Sequence, residues 1–144
     1  EEMTEKTLIE HPDGNTWLHT GDEAYITEQG IIHILGRGAI RAYGDKPLRV
    51  MRMETKAVRT PGVQDGFFCV VPDMEHEGYF RPYLFVILDG SRILEEVAEL
   101  LKDTLDEHEY PVEIRVITER PYFHFKTNRK ELTAQILEEL QQAE

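Results

Sequence analysis

Cysteine is almost missing from this chain of 144 residues, which has one, Cys69. A lone cysteine excludes an internal disulfide and fits a reducing compartment. It sits in the apolar run Phe67-Phe68-Cys69-Val70-Val71, where a buried structural thiol is expected rather than a nucleophile. That run is far too short to span a bilayer, so no membrane span is expected. The first residues are acidic and polar and carry no signal-peptide pattern, so a cytoplasmic location is expected. Bases are scarce, 16 against 28 acids for a net charge of −12, which disfavours nucleic acid and anionic membranes as partners. The six histidines include no helical i, i+4 pair, so no metal site is expected. Gly-x-Ser-x-Gly is absent, and so is a glycine-rich phosphate loop.

What is present reads as an ordinary soluble composition, 40% hydrophobic and 31% charged. The length fits one domain, or one domain with a fragment of another. Residues 1–16 read as a lead-in with a turn at His11-Pro12-Asp13-Gly14, and a strand is expected from Thr16. Tyr25-Ile26 and Ile31–Leu35 flank Glu28-Gln29-Gly30 as a hairpin. His33 falls on one face with Ile31 and Leu35 and reads as a satisfied or half-exposed strand histidine.

Gly36-Arg37-Gly38 breaks that pattern as a linker would. Beyond it the spacing predicts a turn at Tyr43-Gly44-Asp45 and a short helix over Met53–Arg59. Strands over Gly66–Val71 and Tyr83–Leu88 follow. Ser91 is expected to cap a helix whose apolar face is Ile93, Leu94, Val97, Leu100, Leu101 and Leu105. Val112–Ile117 alternates as a strand, Glu119–Lys126 reads as a loop, and a last helix starts near Asn128. The fold class expected is α+β: a small sandwich of about three strands with packed helices, preceded by a β-hairpin arm. The domains expected are 1–37 and 38–144.

Three segments carry chemistry or fold. Trp17-Leu18-His19-Thr20-Gly21-Asp22 runs a short strand into a turn that sets a carboxylate beside open backbone, and a hairpin returns to Gly36-Arg37. Met53–Asp73 reads METKAVRTPGVQDGFFCVVPD, a helix, a proline turn and a strand. Lys126-Thr127-Asn128-Arg129-Lys130 precedes the last helix. Taken singly, Asp22 is a turn aspartate that caps backbone, and Lys126 is a loop lysine before a helix.

Together the three segments resemble the C-terminal region of the adenylate-forming acyl ligases, the superfamily of acyl-CoA synthetases, peptide-synthetase adenylation domains and luciferases. The resemblance implies that residues 1–37 are the tail of an N-terminal adenylation domain and that 38–144 form the mobile C-terminal domain. It implies that Asp22 and Arg37 bind the nucleotide, that Gly38 and Ala39 form the hinge, and that Lys126 is the catalytic lysine, with Lys130 as the alternative register. The intact enzyme would use ATP and Mg2+ to make an acyl-adenylate, then pass the acyl group to a thiol of coenzyme A or a carrier protein. The fragment alone would be inactive and hold no cofactor. Phe125 stands where the family has glycine, and Ala39 where it has an acidic or lysine hinge residue. The alternative is therefore a non-catalytic α+β binding or packing module derived from that domain.

Overall fold

The structure is a computed structural model that describes residues 7–37, 41–124 and 126–142. The chain divides into two compact units, Glu1–Ile40 and Arg41–Glu144.

The first unit consists of two β-hairpins. Strand β1 (Leu8–Glu10) pairs antiparallel with β2 (Thr16–Leu18), Ile9 opposite Trp17. The sequence gives β1 only three residues, too few to show alternation, which is why the lead-in hides a strand. The turn between them closes on Asp13, whose carboxylate accepts the Asn15 N–H at 2.9 Å and the Trp17 indole N–H at 3.0 Å. Strand β3 (Asp22–Ile26) pairs with β4 (Ile32–Arg37) around the expected turn. His33 stacks on Tyr25 with ring centroids 4.8 Å apart, an exposed cross-strand pair.

The second unit opens with a small hairpin, β5 (Ala42–Tyr43) and β6 (Lys46–Pro47), turning at Gly44 and Asp45. Helix α1 (Val50–Val58) buries Met53 and Ala57, four residues apart on one face. It stops before Thr60-Pro61-Gly62, where proline disfavours helix in the residue ahead of it and Gly62 takes a φ of +97°. Strand β7 (Val63–Pro72) pairs antiparallel with β8 (Phe80–Leu88). Helix α2 (Leu94–Thr104) and the 3-10 turn Glu107–Glu109 then carry the chain over to β9 (Glu113–Val116), which lies parallel to β8. Parallel neighbours need such a crossover. The sheet order is β7-β8-β9.

Alternation along β7 and β8 splits the core in two. Phe68, Val70, Leu84 and Val86 face α1 and α2. Phe67, Cys69, Val71, Tyr83 and Phe85 face α3 (Arg129–Gln142), which buries Ile136 among them. Burial on both faces explains why β7 reads as one apolar run instead of an alternating strand. The fold is α+β, a three-stranded sheet with helices on both sides. Burial pushes the Cys69 thiol up to about 11, which keeps it protonated and inert.

Two sequence expectations need correction. Ser91 does not cap α2, because it lies two residues ahead of the cap position Ile93, in a turn where its N–H donates to the Asp89 carboxylate at 2.8 Å and Gly90 has a φ of +84°. The helix opens at Leu94, and the Glu96 carboxylate reaches back to the Ile93 N–H at 3.3 Å. Ile93, expected on the buried face, is therefore outside the helix and exposed. The segment expected as a loop before the last helix contains a hairpin, β10 (Tyr122–Phe123) with β11 (Lys126–Thr127). No helix among the described residues is long and apolar enough to cross a membrane.

Candidate nucleotide and lysine sites

The Thr-Gly-Asp turn follows from glycine. Gly21 takes a φ of +77°, and a Cβ there would meet open space. The Thr20 hydroxyl accepts the Asp22 N–H at 3.2 Å, which tightens the turn and sets Asp22 at the start of β3. Asp22 is exposed, and its backbone pairs directly with that of Arg37 at the end of β4. The hairpin thus brings the two expected nucleotide-binding residues to one level of the ladder. An exposed carboxylate at a turn suits the acceptance of hydrogen bonds from sugar hydroxyls. Gly38 and Ala39, the expected hinge, lie outside the described residues.

Lys126 opens β11, with Phe123 opposite it, and its side chain is exposed. Phe125 lies outside the described residues. Between Phe123 and Lys126, His124 has a φ of +48°, an uncommon conformation for a residue with a side chain. Polar contacts hold both ends of this hairpin. At the entry, Arg120 forks onto Asp65 of β7, with Nη2–Oδ1 2.5 Å and Nε–Oδ2 2.8 Å. The same guanidinium donates to the Thr127 hydroxyl at 2.9 Å and lies over the Phe67 ring, 4.8 Å from its centroid. At the exit, Arg129 donates to the Phe68 carbonyl at 3.1 Å and to Glu54 of α1 at 2.5 Å. Glu54 also accepts the Phe68 N–H at 3.0 Å. The Asn128 N–H closes the base on the Pro121 carbonyl at 2.9 Å.

The Arg120 hydrogen bond holds the Asp65 carboxyl below its ordinary value of 3.8, and Asp65 in turn raises Arg120. Two further groups, Asp73 with Glu75 and His76, and Asp106 with His108 and Glu109, are clustered closely enough to hold a cation. One acid of each already has a cationic partner: Arg81 lies 2.6 Å from Asp73, and Lys56 2.7 Å from Glu109.

No family model matches the chain. Among curated proteins, it is 30% identical over 113 residues to the acyl-CoA ligase sidI of Aspergillus fumigatus, covering 76% of this chain and 19% of that protein. Among solved structures, it matches the O-succinylbenzoate coenzyme A synthetase of Bacillus subtilis, in complex with ATP and magnesium ion, with a TM-score of 0.73 at 20% identity, covering 92% of this chain and 26% of that one. The chain belongs to the adenylate-forming acyl ligases. It corresponds to their C-terminal domain and spans about a fifth of the length of the curated relatives it matches. The amide bond synthetase McbA of Marinactinospora thermotolerans shares this ligase fold, with a TM-score of 0.74 at 21% identity over 94% of this chain and 27% of that one.

The sequence offered Asp22 and Arg37 in the first unit and Lys126 in the second as candidates, but not the residues whose contacts hold the Lys126 hairpin. Arg129 lies in the lysine segment, but the sequence alone assigns it no role. Arg120 and Asp65 are 55 positions apart, and only the fold joins them.

Proposed function

We propose that this chain is the C-terminal portion of an ATP-dependent ligase that activates a carboxylic acid as an acyl-adenylate and transfers the acyl group to a thiol, coenzyme A or a carrier protein. The observation that carries this reading is Lys126: an exposed ammonium on a hairpin whose two ends are tied to the sheet. A cation so presented can offset the charge that builds when a carboxylate attacks the α-phosphate. Asp22 and Arg37 would hold the ribose of ATP, the carboxylate accepting from its hydroxyls and the guanidinium donating. Magnesium would accompany ATP and offset its phosphate charge, and no residue of this chain is assigned to it.

In this reading residues 1–37 complete the β-structure of the N-terminal adenylation domain, and 38–144 turn about Gly38 and Ala39 between the two steps. Lys126 serves adenylation, and the segment 40–50 faces the second step. The amide bond synthetase shows that the fold does not fix the acceptor, whereas the curated relatives named as coenzyme A ligases favour a thiol.

ATP–pyrophosphate exchange tests the assignment. The chain alone should give none, because it holds no phosphate loop to assemble the reactants. The full-length protein should exchange in the presence of its acid. Robust exchange by the chain alone, or none by the full-length protein with any carboxylic acid, would count against it.

A further inference from the structure

Among the described side chains of the hairpin that carries Lys126, apolar burial is slight. Tyr122, His124 and Lys126 are exposed, and the paired strands are two residues long. Such a segment has low local stability unless polar contacts restrain it. Arg120 supplies the restraint in four directions. Its fork grips Asp65, Nη2 donates to the Gly66 carbonyl at 3.3 Å, Nη1 donates to the Thr127 hydroxyl, and its plane covers Phe67. Asp65, Gly66 and Phe67 belong to β7, and Thr127 is the neighbour of Lys126. The pair is half-buried, with Arg120 19% and Asp65 34% exposed, so solvent screens it less than a surface bridge.

We propose that Asp65 and Arg120 are positioning residues that register the Lys126 hairpin on the central sheet. The proposal rests on Lys126 acting in adenylation. Arg120 touches no reacting atom. It fixes Thr127, and through Thr127 the strand from which the lysine projects. A fork of two parallel N–H donors fixes direction as well as distance, which a lysine cannot reproduce.

The test uses the full-length ligase, with adenylation and thiol transfer from supplied acyl-adenylate measured separately. Lys126→Ala is the control for the underlying assignment. A misplacement of about 1 Å costs on the order of 10²-fold in rate. Arg120→Leu and Asp65→Asn should therefore lower kcat for adenylation by roughly 10- to 10²-fold, with KM for ATP and thiol transfer little changed. Arg120→Lys should not restore the rate, whereas the exchanged pair Asp65→Arg with Arg120→Asp should recover part of it. If Lys126→Ala impairs adenylation but Arg120→Leu does not, the positioning role is wrong and the assignment of Lys126 survives. If Lys126→Ala has no effect, both fall.

Amide exchange on the chain itself guards against a variant that fails to fold. In Arg120→Leu, protection should fall at Lys126 and Thr127 and persist along β7 and β8. Equal loss along the sheet would make the pair an ordinary stability contact and overturn the proposal.

Discussion

The two units use strands in opposite ways. In Arg41–Glu144 the strands β7 and β8 bury both faces: Phe68, Val71, Leu84 and Val86 are wholly inaccessible. In Glu1–Ile40 the hairpins leave Trp17, Leu18, Ile26, Ile32 and Ile34 exposed, each more than half so. The residue types are alike, and what differs is the presence of helices to cover them. Two-stranded hairpins are marginal in water without such cover. Exposed apolar strands of this kind support the proposal that another body covers them. This is the physical argument for reading the first unit as part of a larger domain and the second as a domain in its own right.

The sharpest way to break this comparison is to truncate one large apolar residue in each unit. Phe68→Ala should cost about 3–5 kcal/mol, since it empties a site enclosed by α1, α2 and the sheet. Ile32→Ala should cost no more than about 0.5 kcal/mol in this chain, because its side chain is 63% exposed. Urea unfolding of both variants decides, and a cost at Ile32 near that at Phe68 would mean the first unit has a core of its own.

Glycine gives a second, finer contrast. A Cβ at Gly62 would lie 2.8 Å from Val97 and 2.9 Å from Arg92, at a φ of +97°. At Gly21 the φ is +77° but the surroundings are open. Gly21→Ala should therefore cost only the left-handed strain, about 1–2 kcal/mol locally. Gly62→Ala should cost clearly more, read as a larger drop in Tm. Equal effects would show that strain alone governs both turns.

A smaller effect follows from pH. The Asp65 carboxyl is held below its ordinary value of 3.8 by Arg120. A depressed folded pKa contributes stability that is present above 3.8 and is lost as pH falls through the lowered value. Asp65→Asn should flatten the acid limb of the stability curve in that window, checked by urea midpoints from pH 5 to below 3. An unchanged acid limb would mean the ion pair adds nothing to folding.

The second unit was largely legible because periodicity is a local signal. Val97, Leu101 and Leu105 repeat at helical spacing and are buried. Phe67–Val71 is a continuous apolar run because both faces are covered. What escaped was set by geometry too short or too distant to leave a pattern. Strand β1 has three residues, and β10 and β11 have two each. Ser91 has the chemistry of a helix cap, but the Asp89–Gly90 turn delays the helix until Leu94 and leaves Ile93 at the cap position. The candidate site divided in the same way. Asp22, Arg37 and Lys126 are proposed from motif spacing, whereas the Asp65–Arg120 pair exists only once β7 and the hairpin are brought together.

The most direct measurement is the separation of half-reactions for Lys126→Ala in the proposed full-length ligase. Adenylation should fall on the order of 10²–10³-fold, the usual loss for one electrostatic contact made in the transition state. Transfer of a supplied acyl-adenylate to thiol should stay near the unmodified rate. Adenylation left intact by Lys126→Ala, or equal losses in both half-reactions, would contradict the account.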